Sequence, residues 1–217
     1  MLEKLPDALG HALRKQRAGL DQIAFNLLDL RNGTAALQVR SLAFADHAPI
    51  PAHYTADGAG VSPPLEWSGV PREAASLVLI VEDADAPTPH PLVHAIVVDL
   101  PPQDGALPEG ALKSDGNEGL GYHTGRNSYL QAAWLPPDPP PSHGVHRYAF
   151  QLFALDADPG FGATPGRDAV MEALRKHAWA SGCLIGTYLR PDGSITVENE
   201  VPAQAAVTPA GLDEPLA

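Results

Sequence analysis

Between residues 35 and 190 the large apolar residues come in short runs, LQVRSLAF, LEW, SLVLIVE, VHAIVVD, HRYAFQLFAL and CLIGTYL, separated by stretches rich in proline and glycine. Runs this short and this rich in Val, Ile and aromatic residues are strands rather than helices. Their punctuation predicts a mainly β domain built as two sheets, a sandwich or barrel-like fold. One helix interrupts the pattern. Thr164-Pro165 supplies a cap and a first-turn proline, and Gly182 a stop, which predicts a helix over residues 166–181.

The ends have a different texture. Leu2, Leu5, Leu9, Leu13, Leu20, Ile23 and Leu27 recur at helical spacing and predict a helical arm over residues 1–34, ending near Asn32-Gly33. Its basic stretch Arg14–Arg17 reads as a solvated helix face. An isolated amphipathic helix of this length is marginal in water, so the arm should pack on the domain or mediate self-association. Beyond the domain, residues 193–217 hold few large side chains and are expected to form a loose tail, leaving 35–192 as the folded unit.

With 26 acidic against 14 basic residues the net charge is −12, which argues against nucleic acid or an anionic membrane as a partner. No apolar run reaches the roughly 18 residues a membrane span needs, and no signal-peptide core is visible. The lone cysteine, Cys183, cannot form an internal disulfide, which fits a cytoplasmic location. Its neighbours Leu184 and Ile185 make it a buried thiol rather than a nucleophile.

The chemistry gathers at strand ends. Ser76–Glu82 and Val93–Asp99 read as buried strands, so Asp83 and Asp85 fall where the first ends and His94 where the second begins. A second stretch, the stiff proline-rich Pro136–Pro141, delivers the chain into His146-Arg147-Tyr148 at the start of a strong strand. Alternation places His146 and Tyr148 on one face and turns Arg147 away, as a structural ion-pair partner. The other histidines examined, His90, His123 and His143, read as solvent-facing loop residues, and Trp67, Trp134 and Trp179 as packing anchors.

These stretches resemble the phosphatidylethanolamine-binding protein family, in its bacterial, Raf-kinase-inhibitor-like branch. The likeness is carried by D-x-D-A-P followed by His94, by G-x-N-S, by the double proline, by H-R-Y-x-F, and by "IPAHYTADGAGVSPPLEWSGVP" over residues 50–71. It spans roughly residues 40–190 and implies a two-sheet β fold with one or two peripheral helices beside the N-terminal helical arm. Carried over by position, Asp83, Asp85, Pro87, His94, His146 and Tyr148 would line a small pocket for phosphate-like or carboxylate head groups. Three departures stand out: Ala84 replaces a proline, Leu92 a tryptophan, and Pro139 falls near a pocket glycine. The resemblance also implies a homodimer and a cis peptide at Ala86–Pro87; His90–Pro91 is a second cis candidate.

A carboxylate beside an imidazole favours its protonated form, so Asp83 or Asp85 is expected to orient and charge His94 or His146, with Tyr148 donating its hydroxyl. Asp85 serves equally well as a turn-former. The leading reading is a non-catalytic binding or regulatory protein that needs no cofactor. The alternatives are a metal-assisted hydrolase using the same Asp/His group, for which the fold would have to assemble the metal site, and an interaction module with a vestigial pocket.

Overall fold

The computed structural model describes residues 7–30, 37–113 and 121–191; the expected tail lies outside them. Among the described residues, eight strands form two antiparallel sheets. The small sheet has the order β1-β2-β5 (Gln38–Arg40, Leu65–Ser68, Gly105–Leu107). The large one has the order β6-β4-β3-β7-β8, with β3 at Ser76–Asp83, β4 at Leu92–Leu100, β6 at His123–Gly125, β7 at His146–Leu155 and β8 at Ala178–Tyr188.

The central strand β3 is buried along its whole length because both faces of its sheet are covered. Leu77, Leu79 and Val81 join Phe150 and Leu152 beneath Leu65 and Trp67 of the small sheet. Val78 and Ile80 pack on the opposite side with Phe153, Val170, Met171 and Leu174. Burial on both faces is why these strands read as continuous apolar runs instead of alternating ones.

The helical expectations need correction. The domain helix, α3, is Arg167–His177, capped by the backbone of Gly166 rather than by Thr164. It stops at Ala178 because Ala178 and Ala180 already pair with Leu155 and Ala154 as the start of β8. Gly182 is therefore a strand residue; a Cβ there would stand 2.2 Å from the Leu37 carbonyl oxygen. Segment 37–50 lies against β8, with Leu37, His47 and Ile50 donating backbone N–H groups to Ser181, Ile185 and Thr187.

The N-terminal arm is not one helix. It comprises α1 (Asp7–Leu13), a 3-10 turn at Leu20–Gln22 and α2 (Ala24–Leu28). Gly19, at φ +100°, breaks the helical path between them. The arm packs on the domain, as its apolar residues require. Ile23 and Ala24 are buried, and the Ala24 and Phe25 N–H groups donate to the side chains of Glu82 and Gln151.

The expected cis prolines are absent: no described peptide bond is cis, Ala86–Pro87 and His90–Pro91 included. The sharp exit from β3 is made instead by Asp83, whose Oδ1 accepts the Asp85 N–H at 2.8 Å and closes an Asx turn. The turn is then tied to the arm, as Gly19 and Ala18 donate to the carbonyls of Ala84 and Ala86 at 2.7 and 3.1 Å.

Candidate functional site

Strand ends assemble the site. Asp83, the last residue of β3, pairs in register with Tyr148 of β7. On the other side of β3 the register steps from Val81↔Ala95 to Glu82↔Val93, leaving His94 as the extra residue of a bulge. A bulge re-aims the side chain it carries. The His94 ring meets Tyr148 edge-on at 5.1 Å between centroids, and Tyr148 lies parallel to His146 at 6.3 Å.

A cavity of about 270 Å³ opens beside this cluster, lined by Asp83, Pro87, His94 and His146 among the expected residues. Its further wall comes from the proline run, with Leu135, Asp138 and Pro139. That run is clipped in place: Leu135 donates its N–H to the His94 carbonyl at 2.8 Å, and His94 Nδ1 donates to the Leu135 carbonyl at 2.6 Å. Arg190 holds it from outside through Asp138 at 2.6 Å and the Pro139 carbonyl at 2.8 Å. Asn127 and Ser128 staple the neighbouring loop, Asn127 Oδ1 accepting the Tyr129 and Gln131 N–H groups and Ser128 Oγ the Val93 N–H.

The cluster mixes satisfied and unsatisfied groups. Asp83 Oδ2 accepts from His146 Nδ1 at 2.7 Å, and His146 Nε2 faces His143 Nδ1 at the same distance. His143 Nε2 donates to the Leu13 carbonyl at 2.9 Å. By contrast His94 Nε2 and the Tyr148 hydroxyl are buried with no hydrogen-bond partner. Leaving such groups unpaired is costly, which makes them pointers to a ligand. Burial lowers the His94 pKa despite the Asp83 carboxylate nearby, and burial pushes the Tyr148 phenol well above its ordinary value. The expectation that a carboxylate charges His94 is thus corrected: desolvation outweighs the attraction.

Asp85 does not line the cavity. It is fully buried in a bidentate pair with Arg147, at 2.7 Å to both oxygens, and takes Arg17 of the arm at 2.9 Å. Arg147 is thereby the ion-pair partner that strand alternation predicted. Tyr148 does not line the cavity either; it is fully buried, with its ring next to His94. His90 is solvent-exposed and His123 half-buried against Asp99, while His143, expected in solvent, is completely buried. Its ring is drawn inward by the turn at Ser142–Gly144, where both residues have positive φ. Arg17 is likewise no part of a freely solvated face. Neither residue carried a local signal, because each is positioned by a segment more than a hundred residues away. Asp138 carries no local signal either, being one polar residue within a proline run. Burial pushes the Cys183 thiol up to about 12, consistent with an inert side chain. Asp83, His146 and His143 bond in series instead of converging on one point, and among the described residues no three such side chains are grouped to hold a metal ion.

The domain is thus a two-sheet β fold with a small cavity at its strand ends. The phosphatidylethanolamine-binding protein family profile matches residues 40–189, and the chain belongs to that family. A UPF0098 protein of Methanothermobacter thermautotrophicus is 36% identical over an alignment of 165 positions that covers 99% of that protein and 71% of this chain. The crystal structure of a phosphatidylethanolamine-binding protein homologue from Chlamydia trachomatis superposes with a TM-score of 0.64 at 38% identity, over 73% of this chain and 100% of the other. E. coli YbcL, described as a member of the mammalian family, gives 0.66 at 28% identity, over 71% and 98%.

Proposed function

We propose that this chain is a non-catalytic binding protein whose pocket takes a small phosphate- or carboxylate-type head group in its proton-bearing form. The observation that carries the reading is the pair of buried, unpartnered groups, His94 Nε2 and the Tyr148 hydroxyl, within one cluster beside the cavity. With Nδ1–H committed to the Leu135 carbonyl and burial keeping the ring neutral, His94 Nε2 offers a lone pair. A P–OH or carboxylic O–H donates to it, while the Tyr148 hydroxyl donates to another ligand oxygen. Asp83 and Asp138, both in the lining, oppose a dianion and so favour the singly charged form. The six residues divide within this proposal: Asp83, Pro87, His94 and His146 form the wall, Tyr148 lies outside the lining with its ring against His94, and Asp85 holds the turn. No described helix is long and apolar enough to cross a membrane; a cytoplasmic location and a homodimer belong to the same proposal.

Titration calorimetry with methyl phosphate tests it. A phosphate monoester loses its second proton near pH ~6, so affinity should fall as the pH is raised from about 5.5 to 7.5. His94→Gln and Tyr148→Phe should each weaken binding. Failure to bind at either pH, or tighter binding at the higher one, would overturn the proposal.

A further inference from the structure

The family match begins at residue 40, and the Methanothermobacter relative is 99% covered by an alignment that takes up only 71% of this chain. The N-terminal arm lies outside the residues that the family profile matches. Yet Leu13, the last residue of α1, lines the same cavity as Asp83, His94 and His146. Resting on the anion-pocket reading, we propose that the arm is a built wall of this pocket and that Leu13 is a specificity-determining residue, selecting small anions that carry a short apolar group.

Four observations argue for a seated wall. Gly10 of α1 lies so close to the proline run that a Cβ would stand 1.8 Å from the Pro141 carbonyl oxygen, so a side chain at this position would push the helix off. The Leu13 carbonyl takes the His143 Nε2–H bond, which connects the arm to Asp83 through the two imidazoles. Arg17 reaches the buried Asp85 at 2.9 Å and the carbonyls of Val145 and His143 at 2.8 and 3.1 Å. Finally, Ala18 and Gly19 donate to the Ala86 and Ala84 carbonyls, on the turn that supplies Pro87 to the wall. Each of these four attachments ends on a residue of the pocket or on its immediate neighbour, so the first part of the arm, up to Gly19, shares its supports with the pocket.

The chemistry of the wall names the ligand. The lining combines the polar groups Asp83, His94, His146 and Asp138 with apolar surface from Leu13, Pro87, Leu92, Pro139 and Pro140. These prolines have no N–H to offer, so they cannot serve an anion. A ligand that places its acid against the histidines and a few apolar carbons against Leu13 uses both kinds of surface. At about 270 Å³ the cavity admits a ring or short chain, not a long one.

The test compares methyl phosphate with phenyl phosphate on the full chain. The unaltered protein should prefer phenyl phosphate, and Leu13→Ala should cost about tenfold for phenyl phosphate, or about 1.4 kcal/mol, while moving methyl phosphate by less than about twofold. Leu13→Met, of similar volume, should restore the preference. Arg17→Gln, which touches no ligand in this scheme, should reproduce part of the loss by loosening the arm. An unchanged ratio in Leu13→Ala with both probes still bound overturns this inference alone; failure of the unaltered chain to bind either probe removes it together with the anion reading. Should Leu13→Ala fail to fold, amide exchange on the unaltered chain decides: phenyl phosphate should slow exchange at Ala18 and Gly19, and unchanged exchange at saturation overturns the wall.

Discussion

Glu82 and Asp83 are consecutive carboxylates at the end of β3, and strand alternation sends them to opposite faces of the same sheet. On the helix side, Glu82 accepts from Arg167 at 2.7 Å, the Ala24 N–H at 2.8 Å and Gln151 at 2.9 Å. That environment is closed, with each donor matched by an acceptor. On the other side, Asp83 is equally well bonded, but the cluster around it keeps two polar atoms without partners and a cavity next to them. Charge and burial are alike at the two positions. What distinguishes the two carboxylates is whether their neighbours are satisfied, and on that difference the proposed binding role of Asp83 rests.

The harshest way to probe that contrast is Glu82→Ala. It strands Arg167 and two further donors in a site closed to water, and should cost about 3–5 kcal/mol in urea denaturation. A loss under about 1 kcal/mol would mean that the closed side does not anchor the arm and α3 as described.

An intermediate effect is expected at Asp85, through pH. Burial alone would raise its carboxyl, but hydrogen bonds from Arg147 and Arg17 outweigh burial and hold it below the ordinary carboxylate range. As the pH falls the unfolded carboxyl takes up its proton first. The contribution of Asp85 is therefore complete above about pH 4 and is lost as the pH drops through the lower folded value. Asp85→Asn should cost about 2 kcal/mol at neutral pH, and the gap to the unaltered protein should close in acid. A gap that stays constant across the pH range would disprove the pairing.

The smallest stability effect, and the sharpest test, is Tyr148→Phe. Removing a hydroxyl that has no partner leaves nothing behind unpaired, so stability should shift by no more than about 0.5 kcal/mol. Methyl phosphate affinity should nevertheless fall. Loss of stability without loss of affinity would place Tyr148 with Glu82 among the structural groups. His146→Ala is a poorer probe, because it would take one buried partner from each of Asp83 and His143.

How far the sequence could be read follows from the same geometry. The strands β3, β4 and β7 were legible because burial on two faces writes an unbroken apolar run. His146 and Tyr148 could be placed together, and Arg147 apart from them, from the two-residue period alone. The meeting of Asp83 with His94 was reached through family resemblance; periodicity carries no trace of the bulge that brings it about. His143 and Leu13 were beyond local reasoning, since each takes its place from the other across 130 positions. The cis-proline expectation failed because a side-chain acceptor, Asp83, performs the reversal assigned to the peptide bond.

The segment laid along β8 has a consequence for how the molecule behaves in a crowded solution. An eleven-residue strand at the margin of a five-stranded sheet would otherwise present a long row of free backbone groups, the template on which another chain adds and aggregation begins. Leu37, His47 and Ile50 occupy acceptors along that row, and Asp46 takes the Ile185 N–H at 2.9 Å. The glycines at 182 and 186 let this cover lie close: a Cβ on Gly186 would meet Ile50 at 2.5 Å. Substituting either glycine should therefore show itself first as turbidity on standing at high protein concentration, as the displaced cover exposes the margin of the sheet to its neighbours.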